Sequence, residues 1–284
     1  MARILVTGAD GFIGRVLCEA LRRKGATVIA WTRRQGDVAD SNAFGGLADI
    51  VHVFHLAART FVPDSWRDPS GFHRTNVTGT LNVLELCRRC EARLTFVSAY
   101  LYGVPDSLPI SEEQVPRPNN PYALSKWMAE ELCRFYSSNF GTGVTIVRPF
   151  NVYGVGQGQH FLIPEIVRQV RAGNAVRVKD LAPRRDYVHI DDLVDALLKT
   201  LSGRSTFDIL NIGSGESMSV AEIISVVQQV AGTSLQAIQE GERRINEIPD
   251  VRADISRARN VLGWEPRVPF TEGIHRMLQE EVVW

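Results

Sequence analysis

Eight residues near the start of the chain, Thr7-Gly8-Ala9-Asp10-Gly11-Phe12-Ile13-Gly14, restrict its fold more than any other stretch. They follow directly on the apolar run Arg3–Val6 and lead into an amphipathic run, Phe12–Lys24. A strand that turns on glycine into a helix opens a parallel α/β unit. In such a turn Gly8 permits the sharp reversal, Gly11 lets a pyrophosphate approach the backbone, and Gly14 lets helix and strand pack closely. The helix start, with Phe12 and Ile13, then offers free N–H groups and a positive dipole end to an anion. The spacing is GxxGxxG, so a tight turn that binds nothing is the competing reading.

The rest of the first half repeats the strand-helix theme. Strand candidates are Arg3–Val6, Thr27–Trp31, Ile50–Leu56, Leu94–Ser98 and Val144–Arg148. Helix candidates between them are Phe12–Lys24, Thr75–Arg89 and Pro121–Phe140. This alternation predicts an α/β fold, a doubly wound parallel sheet covered on both faces. The interval Arg33–Asp49 holds Gly36, Gly45 and Gly46 and is too short for a helix with its own strand, so one βα unit is trimmed. After Arg148 the character shifts. Segment 151–185 is rich in Gly and Pro and holds one amphipathic helix, Ile163–Ala172. Regular elements resume at Tyr187–Leu201 and Phe207–Ile212. The tail has a helix at Val220–Val230, a turn-rich stretch Gly232–Asp250, and a helix near Asp254–Leu262. The pattern predicts a dinucleotide-binding domain over 1–150, to which 186–210 returns. A smaller C-terminal α/β lobe follows from 151–185 and 211–284. The cleft between them is the expected ligand site.

Charge and cysteine usage exclude several classes. The 284 residues carry 32 Lys+Arg against 32 Asp+Glu. A nucleic-acid or membrane-surface binder needs a basic excess, so neither partner is expected. No apolar stretch approaches the ~20 residues that span a bilayer, and MARILVTGAD is too short for a secretion signal. Four cysteines do not make a disulfide framework. Cys87 and Cys90 form a CxxC inside the helical run LNVLELCRRC and read as two ordinary thiols. Together these features predict the reducing cytoplasm. His52 and His55 flank a buried-looking strand with no carboxylate at metal spacing, and His189 reads as packed, so no metal site is expected.

The end of the second strand bears on the cofactor. An acidic residue there usually holds the adenosine ribose of NAD. In this chain the place falls at Thr32, and Arg33 and Arg34 follow. A guanidinium suits the 2′-phosphate of NADP. NADP(H) is therefore favoured, and NAD(H) stays possible. Asp37 and Val38 come next and can sit against the adenine edge.

A second cluster carries proton chemistry. Asn120 and Pro121 open a helix as N-cap and first residue. Tyr122 and Lys126 are four apart and share a face. A free phenol, with a pKa near ~10, is a poor base at neutral pH. A nearby ammonium favours the phenolate, so the pair can give or take a proton at a hydroxyl or carbonyl. Ser98 ends the strand Leu94–Ser98 and points into the ligand crevice, where it can hydrogen-bond a reacting oxygen.

These residues carry a resemblance. TGADGFIG at 7–14, HLAA at 55–58, NVTGTLNVLE at 76–85, Ser98 with YG at 102–103, PYALSK at 121–126 and RPFNVYG at 148–154 follow in order. RRDYVHIDDL at 184–193, NIGSGESMSV at 211–220 and DISRARNVLGWEPRVPF at 254–270 continue it. The set resembles the extended short-chain dehydrogenase/reductase family, in its nucleotide-sugar epimerase/dehydratase branch. The resemblance implies a Rossmann domain with bound NAD(P) and a C-terminal substrate lobe for a nucleoside-diphosphate sugar. It implies a Ser98–Tyr122–Lys126 catalytic set. Tyr122 is then the general acid/base, Lys126 holds the nicotinamide ribose and tunes Tyr122, and Ser98 orients the sugar oxygen. Leu56, Ala57, Ala58 and Pro149 would join the glycine turn around the dinucleotide. Arg185 and Arg244 would meet the sugar-nucleotide pyrophosphate, Asn151 the sugar or its phosphate, and Phe161, Leu162 and Arg177 the base.

Dehydratases of the branch place Asp-Glu after the catalytic hydroxyl residue. Here Ala99 and Tyr100 stand there, so dehydration is not expected. A reductase of an NDP-4-keto-6-deoxyhexose is the preferred reading, and an NAD-dependent C4 epimerase is the alternative. A non-catalytic dinucleotide-sensing protein is the reading from another class, and such proteins usually lose the Tyr or the Lys. The helices Thr75–Arg89 and Pro121–Phe140 resemble the pair that forms a homodimer in this family.

Overall fold

The structure is a computed structural model that describes residues 3–173, 175–241 and 248–279. In chain order the first half holds β1 (Arg3–Thr7), α1 (Phe12–Arg23), β2 (Thr27–Trp31), β3 (Ile50–His55), α2 (Val62–Arg67) and α3 (Pro69–His73). A π turn, Arg74–Thr78, leads into α4 (Gly79–Cys90), then β4 (Arg93–Val97), α5 (Pro121–Phe140) and β5 (Val144–Pro149). The second half holds β6 (Asn151–Tyr153), α6 (Leu162–Arg171), β7 (Val176–Val178), β8 (Arg184–Arg185), β9 (Tyr187–His189) and α7 (Ile190–Lys199). It ends with β10 (Phe207–Ile212), β11 (Met218–Ser219), α8 (Val220–Ala231), β12 (Ala237–Gln239), α9 (Ser256–Leu262) and α10 (Phe270–Gln279).

Six strands form one sheet in the order β10-β5-β4-β3-β1-β2. All its pairings are parallel. Parallel strands covered on both faces read as continuous apolar runs, because successive side chains enter opposite layers. Ile4 and Val6 join the layer of Leu17, Leu193 and Leu197, while Leu5 joins the layer of Leu84, Cys133 and Ile146. The chain winds outward from β1 to β2 and then returns to β3 on the other side of β1. That reversal opens a crevice at the carboxyl ends of the strands. Residues 32–49 hold turns without helix or strand, so the trimmed unit is present as expected.

A second core, with Tyr153, Ile163, Ile166, Val176, Ile223 and Ile274, lies among α6, α8 and α10. The packing departs from the expected division in two places. β10 pairs with β5 through Ile212, so the large sheet extends past residue 210. Val251, Ala253, Ile255, Ala258 and Trp264 belong to the core of the large sheet and not to that of the lobe. Two buried carboxylates explain the second departure. Asp186 accepts the Ala253 N–H at 3.0 Å. Asp192 accepts those of Arg267 and Val268, both at 3.0 Å. Among the described residues no helix is long and apolar enough to cross a membrane.

Candidate active site

The glycine turn forms a close-fitting cradle. Gly8 has φ +70, and a Cβ there would lie 2.8 Å from the Ala57 nitrogen. A Cβ on Gly14 would lie 2.1 Å from the Gly8 carbonyl oxygen. Neither position admits a side chain without moving backbone. The Gly11 N–H donates to the Gly8 carbonyl at 3.0 Å and closes the turn. α1 then begins with no side-chain cap and no acidic residue in its first turn. Its N–H groups and positive dipole end suit an anion. Thr7 steadies the floor: its hydroxyl accepts the Ala57 N–H at 3.2 Å and meets His55 Nδ1 at 2.7 Å.

At the end of β2, Gln35 Oε1 accepts from both the backbone N–H and the hydroxyl of Thr32, at 2.9 and 2.6 Å. This local turn leaves Arg33 exposed at the cavity rim. Asp37 also lines the cavity and pairs with Arg74 at 3.3 Å, which meets Asp40 at 2.9 Å. Val38 is buried beside them.

Ser98, Tyr122 and Lys126 share one cavity with this turn. The Ser98 N–H donates to Val147 at 2.8 Å, while its hydroxyl is shielded from water and has no partner. Asn120 caps α5 by accepting the Ala123 N–H at 2.9 Å, which places Tyr122 in the first turn. The Lys126 ammonium donates to the Val97 carbonyl at 2.7 Å and lies 4.1 Å from the centroid of the Phe96 ring. Burial pulls its pKa down to about 7, partly opposed by the nearby Glu130 carboxylate. Burial also pushes the Tyr122 phenol above its ordinary value. The expected lowering of the phenol by the ammonium does not appear: desolvation alone shifts Tyr122 and is the largest cause for Lys126.

A further residue of this site lies in the motif NVTGTLNVLE. Asn76, 1% exposed in the π turn, accepts the Arg59 N–H at 2.8 Å and donates to the Arg59 carbonyl at 3.0 Å. It also donates to the Ser125 hydroxyl at 2.9 Å, and Ser125 donates to the Tyr122 carbonyl at 2.7 Å. The loop after β3 is thereby tied to the turn that carries Tyr122. The Arg59 guanidinium pairs with Asp68 and sits 4.6 Å from the Phe72 ring centroid, and Phe72 meets Tyr122 edge to face.

These walls enclose a cavity of about 1300 Å³. That exceeds the ~300–1,000 Å³ of ordinary ligand pockets, so it has room for two ligands. Gly8, Gly11, Phe12, Ile13, Gly14, Arg33, Asp37, Val38, Leu56, Ala57, Ala58 and Pro149 all line it. So do Ser98, Tyr122, Lys126, Asn151, Phe161 and Leu162. The Asn151 amide donates to the Asp186 carbonyl at 2.9 Å, which fixes its orientation. Arg177 and Arg185, two of the three arginines expected at the substrate, do not line this cavity. Arg177 is exposed on β7 and pairs with Glu240. Arg185 donates to the carbonyls of Arg184 and Ile248, each at 2.7 Å, and does not line the cavity. Glu240 holds Arg177 at the surface, whereas Arg185 sits just behind the cavity wall: its partner Ile248 lines the cavity, and its charge acts on the Tyr100 and Tyr187 phenols there. Arg244 lies outside the described residues.

The histidines are structural in their contacts. His52 Nε2 meets the Thr95 hydroxyl at 2.8 Å, and His55 Nε2 meets that of Thr80 at 3.1 Å. Burial lowers both to about 3, so each ring is neutral. His189 caps α7 and stacks edge to face on Tyr153. Cys87 and Cys90 are free thiols, the first buried and held protonated by desolvation.

Comparison with known proteins gives a consistent picture. Residues 4–213 match the model of the NAD dependent epimerase/dehydratase family. The chain is 31% identical to the GDP-6-deoxy-D-mannose reductase of Pseudomonas aeruginosa, over 98% of this chain and 96% of that protein. It is similar to the crystal structure of UDP-glucose 4-epimerase from Thermotoga maritima with UDP-glucose, with a TM-score of 0.91, 27% identity, and 98% and 97% of the two chains covered. It is also similar to the structure of RMD from Pseudomonas aeruginosa complexed with NADPH, with a TM-score of 0.89, 30% identity and 98% of each chain covered.

Proposed function

The chain belongs to the NAD dependent epimerase/dehydratase family, and on that premise we propose that it reduces the C4 ketone of a nucleoside-diphosphate 4-keto-6-deoxyhexose with NADPH. The observation that carries this reading is that one cavity gathers the glycine cradle, the exposed Arg33 guanidinium, the unpartnered Ser98 hydroxyl and the Tyr122 phenol.

The α1 N-terminus would hold the pyrophosphate of the dinucleotide, and Arg33 would meet its adenosine 2′-phosphate. When bound, the dinucleotide supplies the hydride. The chain handles the oxygen and its proton. Ser98 Oγ hydrogen-bonds the ketone oxygen. Tyr122, kept protonated by burial, gives its proton to that oxygen as negative charge develops there. Lys126, anchored on the Val97 carbonyl, keeps a titratable amine one helical turn from the phenol. Asn151 faces the sugar side of the cavity. Dehydration lacks its second pair of groups: Ala99 has no proton to offer, and the half-buried Tyr100 phenol donates to the Gly103 carbonyl at 2.6 Å.

A C4 epimerase that retains NAD is the second reading, favoured by the likeness to the Thermotoga maritima UDP-glucose 4-epimerase over nearly the whole chain. The test is to denature the purified protein and identify the dinucleotide released. An empty site, or one that exchanges freely with NADPH, supports the reductase. Stoichiometric retained NAD supports the epimerase. Bound dinucleotide with no turnover of any nucleotide sugar supports a sensor.

The partner proposed for the folded chain is a second copy of itself. Leu124, Met128 and Phe135 form one exposed apolar stripe on α5, with Leu81 exposed on α4. The free cysteines fit a reducing cytoplasm.

A further inference from the structure

Two residues lining the cavity, among those described, have a shielded side-chain polar atom without a hydrogen-bond partner: Ser98 and Gln157. Ser98 has a role in the proposed chemistry. Gln157 has none yet.

Gln157 lies in the loop after β6, where Gly154 and Gly156 both take positive φ. Its backbone N–H donates to the Gly154 carbonyl at 3.3 Å and its Nε2 donates to the Val152 carbonyl at 2.8 Å. A carbonyl can only accept, so the amide nitrogen must face Val152. The Oε1 atom is the one left unpartnered. A buried acceptor without a donor is costly, so the site is completed by a group that brings one. The residue belongs to the segment that contributes Asn151, Phe161 and Leu162 to the wall next to the lobe core.

We propose that Gln157 reads the glycosyl part of the substrate, its Oε1 accepting a hydrogen bond from a ring hydroxyl or acylamino N–H. This rests on the nucleotide-sugar reading above. An acceptor-only group at that place admits a hydroxyl or an N–H and refuses a carboxylate, a keto oxygen or a missing hydroxyl. It therefore selects neutral hexoses that keep their donor over uronates and over sugars deoxygenated at that position.

The test compares the protein with its Gln157→Met variant, which keeps length and removes the acceptor. Binding is measured by calorimetry at saturating NADPH, with GDP-6-deoxy-D-mannose against GDP alone and UDP-glucose against UDP alone. The expected result is about a tenfold to hundredfold loss of affinity for the sugar nucleotide that binds. Affinity for the free nucleoside diphosphate and for NADPH stays unchanged, which also shows that the variant is folded. Independently of any variant, the monodeoxy analogues of that sugar should include one that binds the unsubstituted protein weakly and gains no further penalty in Gln157→Met. Equal losses for sugar nucleotide and free diphosphate would make Gln157 a structural residue and overturn the proposal. So would no change, or a loss confined to NADPH, which would place the donor on the dinucleotide. If the unsubstituted protein binds neither sugar nucleotide, the functional reading itself fails.

Discussion

Lys126 carries a charge into a place with almost no water, and burial lowers its pKa accordingly. Its folded pKa is about 7, against 10.5 in the open chain. Between these values the unfolded state holds a proton that the folded state has lost, so stability rises with pH across that window. Below the folded pKa both states are charged and the burial cost is fully felt. Urea midpoints of the unsubstituted protein should therefore climb from about pH 7 to about pH 10 relative to Lys126→Met. Parallel curves would show that the amine is not desolvated. Tyr122 tests the chemistry. Tyr122→Phe should cut turnover by roughly 10²–10⁴ and leave NADPH affinity nearly unchanged, since the ring keeps its packing on Phe72. An equal loss of both would remove the phenol from its proposed role. At this scale, what the sequence announced were residues fixed by backbone geometry: Gly8 and Gly14, whose missing side chains are demanded by neighbouring backbone, and Ser98 at a strand end. The direction in which Arg177 and Arg185 turn was not legible, because Glu240 and the Ile248 carbonyl, which meet them, lie more than 60 positions away in sequence.

Elements hold these side chains in place through a few buried polar joints. Glu130 on α5 and Arg148 on β5 meet at 2.5 Å with side chains 2% and 3% exposed. Arg148 also donates to the Tyr102 hydroxyl at 2.9 Å, and Tyr102 donates to Asn211 on β10 at 2.6 Å. The helix that carries Tyr122 and Lys126 is thereby fixed to two strands of the sheet. Removing one partner of a buried pair leaves an uncompensated charge, so Glu130→Gln should cost about 3–5 kcal/mol of stability in urea unfolding. A loss under about 1 kcal/mol would mean that water reaches the pair. The strands were readable because a covered parallel sheet needs uninterrupted apolar runs. The π turn at Arg74–Thr78 was not, since it interrupts a helical pattern without changing its composition. Nor was the placement of Val251–Trp264 on the large sheet. That depends on Asp186 and Asp192, two carboxylates that look like surface residues until the fold buries them.

For the whole molecule, charge balance and ligand chemistry are reconciled by topology. A chain with 32 basic and 32 acidic residues has no net positive charge to draw a polyanion from a distance. The crevice at the strand ends still aligns a helix N-terminus with Arg33 around about 1300 Å³ of space. The apolar stripe on α5 adds a prediction of assembly: the protein should sediment as a dimer at micromolar concentration, and charging the stripe with Met128→Glu should give monomers. A monomeric unsubstituted protein would contradict that use of the helix. The central claim is that hydride leaves NADPH for a sugar ketone and does not return. It is tested most directly by incubating the protein with NADPH deuterated at the transferred position of nicotinamide C4 and a nucleoside-diphosphate 4-keto-6-deoxyhexose. The account predicts a product carrying deuterium at sugar C4, with one NADP⁺ formed for each product molecule. Sugar interconversion with the label left in the dinucleotide, or no label transfer at all, would contradict it.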